Sequence, residues 1–267
     1  MRRYFLTPLI IGVILPQCSQ TTTLPAYTTT GQIPLPNGYT RITAQTGSFP
    51  EWLRQVKLKS NNTVYLYNGT PKRNQDAHLA ILDISVDKKN LQQCADAAIR
   101  LYAEYRYGLK QYGKISFKAT DGTIMDYQSW REGYRFVLRK NRLQKQKTAP
   151  ALDTRKSFDQ YLETVFSYAG TLSLSRELKK VNDIADIKAG DLFIEGGSPG
   201  HAVIVMDVAQ NAAGEKIFML AQSYMPAQDI HILKNPQNGT AWYSTNFGSQ
   251  LRTPEWVFER NTLHCWK

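Results

Sequence analysis

Two segments of the sequence carry the residue types of nucleophilic catalysis. Cys94 falls in the first turn of an expected helix, residues 91–107 (LQQCADAAIRLYAEYRY), opened by Asn90 and closed at Gly108. A helix N-terminus carries partial positive charge and favours thiolate over thiol, so a cysteine placed there is a better nucleophile than a free one. The same cysteine shares a stripe with Ala95, Ala98, Leu101, Tyr102 and Tyr105, which is equally the pattern of a packed core cysteine. The second segment is residues 187–208 (IKAGDLFIEGGSPGHAVIVMDV). A strand runs into a Gly/Ser/Pro loop, and His201 opens the next, strongly apolar strand. Glycines permit close backbone approach, so a substrate can lie along Ser198 and Gly200 with the imidazole at its edge. A histidine at a strand start is also a common structural residue. Taken together, the two segments offer a thiol and a base.

A third group must orient the imidazole. If the following hairpin turns near Ala212 and Ala213, His201 lies opposite Tyr224, and Gln222 points to the same face. Gln222 can accept a bond from the imidazole N–H, although a neutral amide stabilises imidazolium less than a carboxylate does. Ser223 and Asp229 are the alternatives. Upstream, Arg73, Asn74 and Gln75 precede the strand that bears His78. They are candidates for lining a cleft or donating to an oxyanion, with the backbone N–H of Cys94 as a second donor; they are equally a solvated hairpin edge. His78 sits among small and apolar residues, as a core histidine does, and His231 and His264 have no partner pattern. The four histidines are far apart and no HExxH or CxxC pair occurs, so neither a metal nor another cofactor is expected.

These residues need a frame. Residues 48–56 read as a short helix and residues 63–67 and 77–86 as strands around an Asn68-Gly69 turn. Residues 114–143 alternate like strands, residues 157–168 form an amphipathic helix, and a shorter helix lies near residues 174–180. Strands at 191–194, 201–208, 216–223 and 229–233 follow. Helices come mainly early and an antiparallel meander late, an α+β layout.

A cysteine opening a helix, followed much later by Gly190-Asp191, a glycine loop, Gly200-His201 and an apolar strand, resembles the NlpC-type and CHAP families of papain-like cysteine peptidases and amidases. That resemblance implies a papain-like fold, with the nucleophile helix packed on the meander and an inserted β-rich segment at about 113–156. It also implies Cys94 as nucleophile, His201 as base and a polar residue on the next strand as orienter. Cys94 here lacks the Ser-Gly that often follows the NlpC cysteine. The string LQQCADA … GDLFIEGGSPGHAVIV … LAQSYMPAQDIHIL is also similar to a family of exported bacterial proteins known only as a domain of unknown function.

The N-terminus sets the expected compartment. Arg2 and Arg3 precede an apolar run, residues 4–15, too short to span a bilayer, which is the pattern of a secretory signal over residues 1–17. Leu15-Pro16-Gln17-Cys18 has the spacing of a lipidation site at Cys18, with Gln17 where a small residue is usual; plain cleavage is the alternative. Residues 18–36 are Thr/Pro-rich and read as a tether to one domain over 37–267. With 42% hydrophobic and 21% charged residues the chain is that of a globular protein. The net charge of +11 concentrates around residues 135–156, a solvated face or a surface for anionic envelope polymer or lipid. Nucleic acid is not an expected partner of an exported protein, and membrane contact is expected only through the N-terminal lipid. Beyond Cys18 only Cys94 and Cys265 remain, enough for one bridge but not for a disulfide framework, and Cys265 near the chain end favours a mobile thiol. Three functions stay open: a cell-envelope thiol hydrolase with the peptide or amide bonds of peptidoglycan as candidate target, a non-catalytic lipoprotein binding glycan or peptide, and thiol acyl transfer involving a lipid.

Overall fold

The frame of the site is one antiparallel sheet. It is seen in a computed structural model, which describes Met1 and residues 27–267. The expected signal over 1–17 and the lipidation residue Cys18 lie outside the described residues, as does the first part of the expected tether. From residue 27 onward the chain is already packed, which corrects the tether boundary of 36. Thr30 and Ile33 are buried, Thr30 N–H donates to the Val56 carbonyl at 3.0 Å, and Leu58 N–H donates to the Thr28 carbonyl at 2.9 Å.

Among the described residues the sheet has nine strands. Its path runs His78–Ile81, His231–Leu233, Lys216–Gln222, His201–Asn211, Leu192–Glu195, Leu263–Cys265 and Lys179–Lys180, and Tyr39–Arg41 and Trp242–Ser244 pair alongside. The central strand, His201–Asn211, explains its own apolar run because both its faces are covered. Ala202, Ile204 and Met206 pack toward the helices, while Val203, Val205 and Val208 pack into a second core with Phe193, Phe218 and Phe258. Asp207, fully buried in the same strand, carries ion pairs of 2.7 Å to both Arg41 and Arg54. Two cations answer the desolvation of one carboxylate.

The described residues form five α-helices: α1 (Phe49–Gln55), α2 (Cys94–Gly108), α3 (Tyr127–Arg131), α4 (Arg155–Tyr168) and α5 (Thr171–Glu177). The architecture is thus α+β with a large antiparallel sheet. Alanines at 95, 97, 98 and 103 let α2 settle closely onto the sheet. Residues 113–156 form two hairpins, Ser116–Lys118 with Ile124–Asp126 and Tyr134–Arg139 with Arg142–Lys147, joined through α3. They dock on α4 through Trp130 Nε1–H to Ser157 Oγ at 3.0 Å and Tyr161 O–H to the Met125 carbonyl at 2.8 Å. The expected strand at 63–67 is replaced by single bridges, Tyr65 to Pro71 and Leu66 to Gln228. The Gln75 amide takes the place of a neighbouring strand there, accepting from Val64 N–H and donating to Val64 C=O, both at 3.0 Å. Cys265 belongs to a sheet strand rather than a mobile end, and both it and Cys94 are free thiols. Among the described residues no helix is long and apolar enough to cross a membrane.

Candidate active site

Helix α2 begins at Cys94 itself, three residues later than its sequence suggests, with Gln93 as N-cap. Asn90 does not cap it. Its Oδ1 instead accepts from Ala227 N–H at 2.8 Å, and Ser223 Oγ stands 2.9 Å from the Gln92 carbonyl, so the lead-in is tied to the loop after the Lys216–Gln222 strand. Asp96 closes the first turn by accepting from Gln93 N–H at 3.0 Å. Cys94 is buried, 8% exposed, and burial pushes its thiol up to about 11, with the neighbouring Asp96 acting in the same direction. The backbone groups of Ala202, Ala95 and Cys94 oppose that rise. Desolvation therefore outweighs the helix N-terminus, and the resting residue is a thiol, contrary to the sequence-based expectation.

The contact with Ala202 places the sulfur beside the strand that His201 opens. His201 points to the face of Val203 and Val205, whereas α2 packs on the face of Ala202 and Ile204, so the two residues approach the strand end from opposite sides. No hydrogen bond joins the Cys94 sulfur to the imidazole in this state. The Tyr224 ring lies edge-on to that of His201 at 4.8 Å, and burial, with Glu255 acting in the same direction, raises its hydroxyl. Trp256 and Phe258, at 5.2 and 5.7 Å, complete an aromatic surround. Burial in it lowers the His201 pKa to about 4, and the charge of Lys72 works in the same direction.

The register that sets this arrangement is Leu220 opposite Val205 and Ala221 opposite Ile204, beyond a bulge at Met219 and Leu220. It brings Gln222 Oε1 to 2.8 Å from His201 Nε2. On its other side the Gln222 amide nitrogen donates to Glu255 Oε2 at 2.7 Å. Two acceptors cannot bond each other, so the carboxylate fixes which end of the amide faces the imidazole. Gln222 presents oxygen to His201, Nε2 must carry the proton, and Nδ1 keeps its lone pair. Lys72 Nζ anchors Glu255 at 2.5 Å and also reaches His231 Nε2 at 3.4 Å, while His231 Nδ1–H donates to the Asp229 carbonyl at 2.8 Å. Burial lowers Lys72 and His231 alike. Together these groups form a largely buried polar chain behind His201, with Glu255 at its partly exposed outer end.

In front of Cys94 lies a cleft of about 280 Å³ lined by Gln93, Asp96, Thr171, Ser198, Gly200 and Met225 among others. Gly200 is required there. A Cβ would come 2.6 Å from the Gly197 carbonyl oxygen and 2.8 Å from that of Glu195. Arg73 and Asn74 line a different hollow, on the far side of Met225, with Lys72, Tyr224 and Glu255. Gln75 is in neither, since its amide is consumed by Val64 and by the Lys72 carbonyl at 2.7 Å. The two alternative orienters are elsewhere: Ser223 holds the Gln92 and Gln228 carbonyls, and Asp229 pairs with Lys59 at 2.8 Å. His78 Nε2–H donates to the Asn62 carbonyl at 3.0 Å, and the residue is buried beside His231. Among the described residues no cluster of histidine, cysteine and carboxylate side chains has the arrangement of a metal site.

Residues 30–265 match the family described as Domain of unknown function (4846). The chain belongs to that family. Neither the curated proteins nor the solved structures contain a significant match to it.

Proposed function

We propose that this protein is a thiol hydrolase of the cell envelope that cleaves peptide or amide bonds, with peptidoglycan peptides as the candidate substrate. The observation that carries the reading is the chain His201–Gln222–Glu255, which leaves His201 Nδ1 as an unprotonated base beside the strand end that Cys94 adjoins. The pair starts neutral. Because the two residues flank the strand end from opposite sides, proton transfer between them requires them to close together, or a water to link them, when substrate binds. As the sulfur attacks the amide carbonyl, the thiol proton then passes to Nδ1, and the nascent imidazolium is held through Nε2 by Gln222. The oxyanion develops near the first N–H groups of α2, at Cys94 and Ala95. Collapse expels the amine with the proton from His201, leaving a thioester. Water then gives a proton to His201 as its oxygen attacks, and the acid leaves as the thiol is restored. The papain-like topology implied by the sequence motifs, the export signal and the lipid at Cys18 are part of this proposal.

Burial of Cys94, with its thiol pushed up to about 11, favours a second reading. In that reading the cysteine is structural and the clefts bind glycan or peptide without cleaving it. Incubation with cell-wall peptides separates the two. The first reading expects new amine and carboxyl ends that Cys94→Ser does not generate. Cleavage by Cys94→Ser at the wild-type rate, or tight binding with no cleavage by either protein, establishes the second.

A further inference from the structure

A large concavity lies apart from Cys94, which is not among its lining residues. It measures about 640 Å³ and opens between the second half of α2, the start of α1 and the outer edge of the sheet. Its rim holds Arg106, Lys179, Lys180, Lys188 and Lys267 against Asp186 and Asp191. Among the described residues none of these five cations has an ion-pair partner, although cations elsewhere in the fold find carboxylates within 4.0 Å, as Arg41, Arg54 and Arg155 do. Lysines on a short edge strand discourage strand addition, which accounts for Lys179 and Lys180. It does not account for Arg106 or Lys188, which approach the same space from a helix and a loop. Asp191 offsets little of this charge, because burial raises its carboxyl to about 7.

Two polar hydrogens in the walls of this pocket have no acceptor. Trp266 Nε1 and Arg106 Nε are buried without a partner, and such groups in a folded protein call for an explanation. Arg106 spends its fork inside the protein, Nη1 on Gln111 Oε1 at 2.7 Å and Nη2 on the Tyr102 hydroxyl at 2.9 Å. A planar carboxylate clamped by a guanidinium is therefore not what the pocket is shaped for. Ammonium groups arriving from several directions act as point charges and suit a tetrahedral dianion. Trp266, stacked at 4.2 Å on Tyr102, adds an aromatic wall against which a sugar or other ring can rest.

We propose that this pocket binds a phosphate monoester carrying a ring, such as a sugar phosphate, at a site separate from the Cys94 cleft. The full-length protein is titrated at constant ionic strength with glucose 6-phosphate, inorganic phosphate and glucose, by calorimetry and by tryptophan fluorescence. Saturable binding is expected for both anions, tighter for the ester, and none for glucose. Lys180→Glu combined with Lys188→Glu, two exposed positions, should weaken binding at least about tenfold without lowering the melting temperature of the free protein. Trp266→Phe should reduce the advantage of the ester over inorganic phosphate. Cys94→Ser should bind as the wild type does, whatever its effect on hydrolysis. Absence of saturable binding by either anion, equal binding by glucose, or full affinity in the double lysine variant overturns the proposal.

Discussion

Glu255 holds the amide nitrogen of Gln222 at 2.7 Å and thereby decides which nitrogen of His201 is protonated. A neutral residue does the orienting, but a carboxylate stands directly behind it, and Lys72 at 2.5 Å fixes that carboxylate in turn. A buried chain of this kind is rigid only while every member is satisfied. Removing the outermost acceptor should therefore be felt at the imidazole.

Glu255→Gln tests that coupling. The introduced amide can present either end to Gln222, so the Gln222 side chain becomes free to turn and offer its nitrogen to His201. Nitrogen NMR of labelled histidine should show a mixture of tautomers where the wild type shows Nε2–H alone. If the protein hydrolyses cell-wall peptides, the turnover should fall about tenfold, the worth of one charge-assisted bond. A single unchanged tautomer would detach Glu255 from the site.

The thiol makes a second test. With burial pushing Cys94 up to about 11, an alkylating probe at neutral pH should modify Cys265, which is partly exposed, ahead of Cys94. Labelling of Cys94 should accelerate as pH rises toward that value, and 6 M urea should abolish the difference between the two thiols. Peptide mapping after timed quenching gives both rates. Faster modification of Cys94 than of Cys265 below neutral pH would mean that the helix N-terminus prevails over desolvation after all.

That reversal marks the limit of what could be read from the residues alone. The period-two pattern is local, but the turn did not fix the register: the hairpin leaves its turn with Lys216 opposite Gln210, one residue from the expected pairing, and only the bulge at Met219 and Leu220 restores Ala221 opposite Ile204, which puts Gln222 on the face of His201. The apolar stripe of α2 and the glycine loop before His201 were legible because they are local too. Glu255, which bonds Gln222, and Lys72, which bonds Glu255, were not, because they lie in loops 183 residues apart and no spacing rule connects them. Nor does a sequence report desolvation. The position of Cys94 at a helix start is visible in it, but the packing that sets the thiol is tertiary. Residues 63–67 look like a strand by composition, yet no neighbouring strand satisfies them: Val64 bonds to the Gln75 side chain, Tyr65 N–H to the Asp229 carboxylate, and Leu66 and Tyr67 N–H to the Thr70 and Ala227 carbonyls.

The pH dependence of stability follows from His201. Its folded pKa, lowered from 6.5 to about 4, means that the unfolded chain takes up a proton first as pH falls. The contribution of His201 is thus fully present above pH 6.5 and is lost progressively down to about 4, on the order of 3 kcal/mol in all. Asp191 acts oppositely: raised from 3.8 to about 7, it stabilises most below 3.8 and loses that contribution as pH rises through 7. Urea denaturation of wild type and His201→Gln between pH 4 and 7 isolates the first of these, since Asp191 is common to both. The variant should lose less stability on acidification. Parallel curves would place the His201 pKa near its ordinary value.

Gly200→Ala asks whether the glycine loop, rather than the strand alone, positions the imidazole. The added methyl group would meet the carbonyl oxygens of Gly197 and Glu195 at 2.6 and 2.8 Å, and neither is the end of a flexible side chain. The loop must shift, at a cost of about 1–3 kcal/mol by the usual range for overpacking. Because His201 is the next residue, the same shift should lengthen the Nε2–Gln222 contact of 2.8 Å and broaden the histidine tautomer signal. Ser198→Ala is the matched control: Ser198 lines the same cleft, is exposed, and its hydroxyl is not needed to hold the loop. Thermal melts of both variants should show a clear loss for Gly200→Ala and almost none for Ser198→Ala, with hydrolysis following the same order. Equal stability and an unperturbed imidazole in Gly200→Ala would show that the strand register by itself sets the site.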